Sequence, residues 1–333
     1  MSTYQPPFVI TPLILNQVIE VGELMGHWAA MAGRTSPLLR KENRIRTIQA
    51  SLAIEHNSLT TEQVTALMEG KRILAPAKDI QEVRNAILAY EKMSEWKSEK
   101  LSDLLQAHRV LMLGLVDNPG QLRTGNVGVY REKQLIHMAP PASQVFRLMN
   151  DLLGWVKTTE LHPLIAGAVF HYEFEFIHPF ADGNGRMGRL WQTLILREWR
   201  SELAWLPVET LIHYQQDRYY QVLGQCDRQS SCTPFIEFIL ENIISALQEG
   251  LGKSSALSEE MSEEMSEEMS PDLLDIEKRI LQILSNHPGR SAKSIADECE
   301  LSARTVERYL KALQLKGKLQ RVGATKGGMW RVI

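Results

Sequence analysis

Residues 178–189, HPFADGNGRMGR, combine glycines and side chains that could bind and transfer a phosphate group. Closely spaced glycines let backbone N–H groups converge on an anion, and a helix that starts there adds the positive end of its dipole. Arg186 and Arg189 are three positions apart, so both can reach one polyphosphate. Asp182 offers a hard oxygen to the Mg²⁺ of a triphosphate, and His178 can take a proton near neutral pH. The segment predicts nucleotidyl or phosphoryl transfer.

The same glycines match the spacing of a dinucleotide-binding turn, G-x-G-x-x-G, at Gly183, Gly185 and Gly188. That turn needs a strand before it, and a second strand with an acidic end about 20 positions later. The apolar run before the loop starts at His162 and Pro163 and lasts about fifteen residues, a length typical of helices and uncommon for strands. No second strand with an acidic end follows. The sequence therefore favours a phosphate loop between two helices over a Rossmann turn.

A metal-dependent hydrolase is a further alternative, because His171 and Glu175 are four positions apart and His178 follows about one turn later. The glycine- and arginine-rich neighbours would repel a divalent ion that arrives without phosphate. We therefore interpret His171 as a packed or surface histidine.

The elements that must position the loop are predicted to be helices. Thr60 and Thr61 are candidate caps of a helix that closes at Gly70, and apolar residues repeat at helical spacing across residues 79–90. The Gly-rich segment 120–141 differs, since its extended stretch KQLIHM stops at two prolines and predicts a hairpin or flap. No alternation of strands and helices indicates a parallel sheet. The body of the chain is therefore predicted to be mainly α.

A small basic module is predicted at the C-terminal end. The repeat LSEEMSEEMSEEMS, residues 257–270, predicts a solvated acidic linker. Residues 271–333 have twelve Lys and Arg against seven Asp and Glu, so this part is +5 and the remainder is −8. Three amphipathic segments with a break near residues 301–302, followed by two short strands, predict a winged helix-turn-helix. The helix after this break would present Arg304, Arg308 and Lys311 to DNA; dimerisation or protein contact is the alternative.

Composition sets further limits. With 333 residues, 44% hydrophobic and 23% charged, the chain is typical of a soluble globular protein of two or three domains. Three cysteines without a C-x-x-C pair argue against a disulfide framework and a zinc site. Neither a basic signal region nor a stretch of about 18 apolar residues is present. We expect a cytoplasmic protein that does not contact a membrane.

The loop sequence resembles the signature of Fic-domain proteins, H-P-F-x-D/E-G-N-G-R-x-x-R, at every specified position. The resemblance extends over most of residues 46–245, including the flap segment and RYYQVL near Tyr219. It implies the mainly α Fic (Fido) fold with a short β-hairpin flap, followed here by the small C-terminal winged-helix domain. It also implies a protein adenylyltransferase, which transfers AMP from Mg-ATP to a Ser, Thr or Tyr hydroxyl of a target protein and releases diphosphate.

The resemblance implies a role for each matching residue. His178 would be the catalytic base, Asp182 would hold Mg²⁺, and residues 183–185 would form the anion hole. The residues implied to bind ATP are Glu55, Asp182, Gly183, Asn184, Gly185, Arg186, Met187, Gly188, Arg189, Tyr219 and Asp227. The flap residues Gln134, Leu135, Ile136 and His137 would pair with the backbone of the target as an added strand. Asp227 is a departure, since relatives often have Asn at the corresponding position of the adenosine pocket.

A second stretch, SLAIEHN, is similar to the inhibitory motif S/T-x-x-x-E-G/N of many Fic proteins, with Ser51 and Glu55 at the required spacing. His56 stands where Gly or Asn is usual. A Glu55 carboxylate held against Arg189 would occupy the place of a phosphate oxygen and disfavour productive ATP. The resemblance therefore implies a self-inhibited enzyme.

Three functions remain open from the sequence. The first is a self-inhibited adenylyltransferase that modifies a target protein or itself, and the second is removal of AMP from a modified protein at the same site. The third is a DNA-binding regulator whose Fic body senses nucleotide. A homodimer is a further possible assembly. The predicted domains are a helical arm (1–45), helices with the inhibitory motif (46–99), the Fic core (100–250), the acidic linker (251–271) and the winged helix-turn-helix (272–333).

Overall fold

The structure is a computed structural model, and it describes residues 4–31, 37–131, 134–268, 271–299, 301–315, 317–322 and 329–332. The chain divides into two compact units, Met1–Ser254 and Ser255–Ile333. Each unit is built around its own hydrophobic core. The predicted domain bounds stay predictions.

The first unit is mainly α, as predicted. Its helices are α1 (Pro12–Met31), α2 (Pro37–Ala53), α3 (Thr61–Met68), α4 (Ala77–Lys92), α5 (Leu101–Leu111), α6 (Ala142–Thr158), α7 (Pro163–Ile177), α8 (Asn184–Trp199), α9 (Val208–Tyr214), α10 (Gln216–Gln229) and the first part of α11 (Thr233–Glu268), which continues past the unit boundary at Ser254. Single 3₁₀ turns follow α4 and α8, at Met93–Glu95 and Ser201–Trp205. α11 continues through most of the acidic repeat, where the sequence predicts a linker.

The predicted cap of α3 is confirmed. The Thr60 hydroxyl accepts from the backbone N–H of Gln63 (3.3 Å), and the Gln63 side chain accepts from the N–H of Thr60 (3.0 Å). This reciprocal pair is a capping box, which satisfies two donors that a helix start leaves open.

α7 is the central helix of the unit. It begins where the sequence indicates, with His162 as the N-cap and Pro163 in the first turn, whose fixed φ suits a helix start. Twelve of its fifteen residues are buried. A helix that is buried on nearly all sides lies inside the protein, and the run before the loop is a helix, as its length predicts. α8 packs along it, so the loop between these two helices has a rigid support on both sides.

The predicted flap is a β-hairpin. β1 (Gly128–Arg131) pairs with β2 (Gln134–Met138) in antiparallel register, from Gly128 opposite Met138 to Arg131 opposite Gln134. The register shifts between Val129 and Tyr130. The hairpin is a sheet of two strands, so the described residues pair β2 along one edge only.

The second unit has the predicted winged-helix topology. Its elements are α12 (Pro271–Asn286), α13 (Ala292–Cys299), α14 (Ala303–Leu315), β3 (Leu319–Val322) and β4 (Met329–Val332). β3 and β4 are antiparallel, and the predicted break at residues 301–302 is the start of α14, where the Ser302 hydroxyl accepts from the N–H of Thr305 (3.1 Å). Lys311 is exposed on α14, whereas the side chains of Arg304 and Arg308 lie outside the described part.

Within the described residues, no helix is long and apolar enough to cross a membrane.

Candidate active site

The loop between α7 and α8 starts and ends with a left-handed residue. His178 caps the end of α7 with φ 50° and ψ 61°, and its N–H donates to the Phe174 carbonyl (2.9 Å). Gly183 caps the start of α8 with φ 85°. Left-handed backbone is unfavourable for a residue with a Cβ, so the surrounding contacts must hold His178 in place.

Asn184 and Asp182 close the loop. The Asn184 side chain accepts from the N–H of Phe180 and donates to its carbonyl, both at 2.9 Å. Asp182 Oδ1 accepts from the N–H of Gly183 (2.5 Å) and from Arg186 Nη2 (3.0 Å). The Asn184 side chain is therefore committed to the shape of the loop, and what it offers an anion is its backbone N–H at the first turn of α8.

A Cβ at any of the three glycines would press on a different side chain. A Cβ at Gly183 would lie 2.6 Å from Met112 Sδ, and one at Gly185 would collide with the carboxylate of Glu55. A Cβ at Gly188 would lie 2.8 Å from Glu175 Oε1 and 3.0 Å from the His171 ring. Gly183 and Gly185 therefore shape the predicted anion hole, whereas Gly188 permits α8 to approach α7.

Arg189 joins the predicted inhibitory motif to the loop. Its Nη2 donates to Glu55 Oε1 (2.8 Å) and to the Ser51 carbonyl (2.9 Å), and its Nε donates to Ser51 Oγ (3.1 Å). Burial alone would lower the pKa of this guanidinium, but the adjacent Glu55 raises it above the ordinary value. The structure thus brings together Ser51, Glu55 and Arg189, as the sequence predicts.

The turn that carries Glu55 explains the unusual His56. The N–H of His56 donates to the Ala53 carbonyl (3.0 Å), and the N–H of Asn57 donates to the Leu52 carbonyl (3.1 Å). These two bonds form a Schellman motif, which requires a left-handed residue at the position of His56, and its φ is 67°. Gly and Asn are favoured there because they tolerate this conformation best. His56 preserves the turn, so the departure from the motif leaves Glu55 in position.

Arg186 is bound by two carboxylates. Its Nη1 donates to Glu82 Oε1 (3.2 Å) and its Nη2 to Asp182 Oδ1 (3.0 Å). Glu82, a buried residue of α4, also accepts from the side-chain amide of Asn57 (2.8 Å). The turn of the inhibitory motif is therefore connected to Arg186 through Glu82, a residue that sequence reasoning missed.

A cavity of about 140 Å³ lies between Glu55 and the loop. The predicted residues that line it are Glu55, His178, Gly185, Arg189, Tyr219 and Asp227. The Tyr219 hydroxyl contacts His171 Nε2 (3.1 Å), and Asp227 accepts from the hydroxyl of Tyr172 (2.8 Å). Tyr172 also lines the cavity and was not predicted.

The other predicted site residues whose side chains are described do not line this cavity, and they lie in different surroundings. The Asp182 side chain is 56% exposed beside the loop, and the Met187 side chain is fully buried in the core. The backbone of residues 134–137 lies in β2, and the side chains of these residues lie outside the described part. A ligand at the loop would therefore meet the backbone rather than the side chain of Met187.

His171 is fully buried and neutral. Its Nδ1–H donates to Gln192 Oε1 (2.5 Å) and its Nε2 accepts from the Tyr219 hydroxyl (3.1 Å). Burial lowers its pKa to about 3. Within the described residues, no three His, Cys, Asp or Glu side chains are grouped as a metal site.

His108 of α5 contacts the loop at Phe180 and Asp182, and the sequence did not predict this role. Its Nδ1 accepts from the N–H of Gly120 (2.8 Å), so the neutral ring donates from Nε2 to the Asp182 carbonyl (3.0 Å). The ring stacks on Phe180 with 3.6 Å between centroids. Burial lowers the pKa of His108 to about 4, which preserves this donor at neutral pH.

Two family models match the chain. The Fic/DOC family matches residues 98–196, which include the hairpin, α7, the loop and most of α8. A winged helix-turn-helix DNA-binding family matches residues 273–320 of the second unit.

Several named proteins are similar in sequence. A protein named protein adenylyltransferase Fic from Nematostella vectensis is 29% identical, over 60% of this chain and 47% of its own length. Protein adenylyltransferase fic-1 from Caenorhabditis elegans is 28% identical, over 64% of this chain and 42% of its own. The chain thus spans less than half the length of these relatives.

Solved structures give the widest coverage. A crystal structure described as a Fic family protein from Desulfovibrio desulfuricans G20 is 45% identical in sequence and superposes with a TM-score of 0.75. The match covers 99% of this chain and 98% of the other. Residues 134–508 of Fic-1 from C. elegans share the fold with a TM-score of 0.58 at 20% identity. Because the D. desulfuricans protein matches nearly the whole chain at 45% identity, and the Fic/DOC family model matches the segment that contains the loop, the chain belongs to the Fic family.

Proposed function

We propose that the protein is a self-inhibited adenylyltransferase, which transfers AMP from Mg-ATP to a hydroxyl group of a protein. The single observation behind this proposal is the contact of Glu55 with Arg189 in a cavity that His178 also lines. The names of the relatives from N. vectensis and C. elegans support the reaction class.

The loop has the properties of a polyphosphate site. The first N–H groups of α8 lack intrahelical partners by helix geometry, and the helix dipole adds positive potential there. Arg189 Nη1 is buried and has no hydrogen-bond partner among the described residues. A buried donor without an acceptor is costly, and a phosphate oxygen would satisfy it.

The Glu55 carboxylate takes the place of such an oxygen in this state. It accepts from Arg189 at the wall of the cavity, and its Oε1 lies against Gly185 of the anion hole. The open volume of about 140 Å³ is below the roughly 300 to 1,000 Å³ typical of ligand pockets. ATP in a productive pose would need Glu55 to leave, which is the basis of the proposed self-inhibition.

The donor set fits Mg²⁺ that arrives with ATP. Mg²⁺ is commonly bound by one or two carboxylates together with substrate phosphates and waters. The half-exposed carboxylate of Asp182 beside the N-terminus of α8 meets that requirement. When bound, the ion would neutralise charge on the phosphates of the leaving group.

The transfer itself requires one base. The hydroxyl oxygen of the target attacks the α-phosphorus of ATP while the bond to the bridging oxygen of the β-phosphate breaks. His178 takes the hydroxyl proton, and diphosphate leaves with the bridging oxygen and its electron pair. Arg189 and the backbone N–H groups of the loop hold the phosphates during this step.

The hairpin supplies a docking edge for the target. A free strand edge binds an extended peptide by main-chain hydrogen bonds, so it accepts different sequences. We propose that residues 134–137 of β2 hold the target backbone so that its hydroxyl side chain reaches His178.

Incubation with labelled ATP and Mg²⁺ tests the proposal. Wild type should label itself weakly, Glu55→Gly should label more strongly, and the Glu55→Gly variant that also has His178→Ala should not label. Glu95→Gly is the matched control, because Glu95 is exposed in the 3₁₀ turn after α4 and does not line the cavity. Equal labelling of all four proteins would disprove transfer at this site.

Removal of AMP is a second candidate activity. Glu55 and His178 line the same cavity, so the carboxylate could orient a water towards a modified side chain. A pre-adenylylated protein should then lose AMP with wild type and not with Glu55→Gly. Loss with both, or with neither, would remove this candidate.

The second unit supports DNA binding as an additional function, because it matches a DNA-binding winged-helix family. Binding of the full chain to duplex DNA should weaken steeply with salt, and Lys311→Ala should reduce the salt slope by about 1. Lys71→Ala is the control, since Lys71 is exposed in the other unit. Salt-independent or undetectable binding would contradict this function.

The homodimer and the cytoplasmic location stay predictions. Sedimentation would test the first, and cell fractionation would test the second.

A further inference from the structure

Arg123, between α5 and β1, is a buried arginine whose described partners are all backbone carbonyls. Its Nε donates to the carbonyl of His178 (2.7 Å) and its Nη2 to that of Ile177 (3.2 Å). Its Nη1 donates to the carbonyl of Gly125 (2.9 Å) and its Nη2 also to that of Pro140 (2.5 Å). Arg123 as a whole residue is 6% exposed.

These four carbonyls belong to two functional elements. Ile177 and His178 end α7, where the last carbonyls of a helix lack intrahelical donors. Gly125 and Pro140 flank the hairpin on its two sides, before β1 and after β2. The main chain adds a further link, because the N–H of Arg123 donates to the Pro179 carbonyl (2.9 Å). One guanidinium thus connects both ends of the hairpin to the residue proposed as the base.

The chemistry of the side chain suits this role. A guanidinium has five N–H donors in a rigid plane, so it can hold several acceptors at fixed angles. A lysine ammonium has three donors at one point and cannot span both elements. Burial of a cation is costly, and burial lowers the pKa of Arg123, whose hydrogen-bond partners among the described residues are carbonyl dipoles and not carboxylates.

We propose that Arg123 is a positioning residue that sets the distance between the hairpin and His178. This inference rests on the proposed function, in which the hairpin holds the target hydroxyl and His178 takes its proton. A misplacement of about 1 Å between reacting groups can cost roughly 100-fold in rate. Arg123 therefore acts on the transfer step and not on nucleotide binding, whose groups lie in residues 51–55 and in the loop and first turn of α8.

The kinetic test compares variants in the active Glu55→Gly background. Arg123→Lys should lower the rate of self-modification at saturating ATP by about 100-fold, while the Kd for α,β-methylene-ATP changes less than about twofold. Arg147→Lys is the matched control, because Arg147 is exposed on α6, and its rate should be unchanged. An unchanged rate in Arg123→Lys, or an equal loss of nucleotide affinity, would overturn the inference.

Chemical rescue separates positioning from folding. Guanidinium ion at millimolar concentration should restore much of the rate lost in Arg123→Ala, and it should restore nothing in His178→Ala. A folded Arg123→Ala whose rate guanidinium does not raise would count against the inference.

Hydrogen exchange gives a readout that needs no activity. Arg123→Lys should speed exchange at both ends of the hairpin and at residues 177–183 together, whereas Arg147→Lys should change neither. Exchange that rises in only one of the two elements would overturn the connection. If Glu55→Gly transfers no AMP, the proposed function fails, and this exchange experiment still decides whether Arg123 joins the two elements.

Discussion

Glu55 Oε1 lies 2.8 Å from Arg189 Nη2, although 134 positions separate the two residues in the chain. The Glu55 side chain is 32% exposed, whereas the Arg189 side chain is 1% exposed. The arginine is thus fixed within the protein, and the glutamate approaches it from the cavity side. A competitor for Arg189 must displace the more exposed partner, which sits on a turn at the end of a helix.

Ser51→Ala should release the inhibition in part. The variant removes the bond from Arg189 Nε to the Ser51 hydroxyl and leaves the bonds to the Ser51 carbonyl and to Glu55. One such bond contributes about 0.5 to 1.5 kcal/mol, so self-modification should rise by roughly 2- to 10-fold, less than in Glu55→Gly. Initial rates with labelled ATP measure the order of the three proteins. A Ser51→Ala rate at or below that of wild type would contradict this account.

Gly188→Ala should destabilise the protein. Its methyl group would lie 2.8 Å from Glu175 Oε1 and 3.0 Å from the fully buried His171 ring, so both side chains must shift, at a cost of about 1 to 3 kcal/mol. Gly154→Ala is the control, since Gly154 is exposed on α6 with no atom within 4 Å of a new Cβ. That variant should stabilise by about 0.5 to 1 kcal/mol. Urea unfolding measures both changes, and similar effects of the two substitutions would refute the packing role of Gly188.

The parts of the site that the sequence predicts are those encoded within short segments. The spacing of Ser51 and Glu55 places both on one helical face, and the loop 178–189 encodes its own glycines, cap and arginines. The apolar run before the loop could be predicted as a helix rather than a strand because of its length. The hairpin could be predicted because glycines precede an extended stretch and prolines follow it. In each case neighbouring residues determine the local backbone.

The parts that the sequence does not predict depend on contacts between distant segments. Glu82 meets Arg186 across 104 positions, His108 meets Asp182 across 74, and Arg123 meets His178 across 55. None of the three is part of a local pattern that distinguishes it from an ordinary surface residue. Met187 shows the converse, because its place in the motif implied ATP binding, whereas its side chain is buried in the core. Such contacts are set by the packing of whole helices.

Glu82→Ala should destabilise the protein and weaken nucleotide binding. It removes a buried partner of Arg186 and leaves that charge with Asp182 alone among its described acceptors. Loss of one partner of a buried ion pair costs about 3 to 5 kcal/mol, and the remaining carboxylate places this case near the lower end. Glu82→Gln should cost less, because its amide oxygen can still accept from Arg186. Urea midpoints and the Kd for an ATP analogue test the order; equal stability of Glu82→Ala and wild type would exclude the role.

Acid should destabilise the fold through His108 and His171. Burial holds their folded pKa values at about 4 and about 3, below the usual value near 6.5, so the unfolded chain binds more protons between these limits. Stability therefore falls as pH decreases through 6.5, by up to about 1.4 kcal/mol per pH unit for each histidine.

His171→Gln isolates one of these groups. The variant is expected to be less stable at pH 7, but its loss of stability between pH 6 and pH 5 should be smaller than that of wild type by up to about 1.4 kcal/mol, because one titrating group is gone. His27→Gln serves as the control for the substitution itself, since His27 is exposed on α1. Urea unfolding at each pH gives the slopes. Parallel slopes for wild type and His171→Gln would mean that His171 is protonated in the folded protein, and its bonds to Gln192 and Tyr219 would then need another assignment of protons.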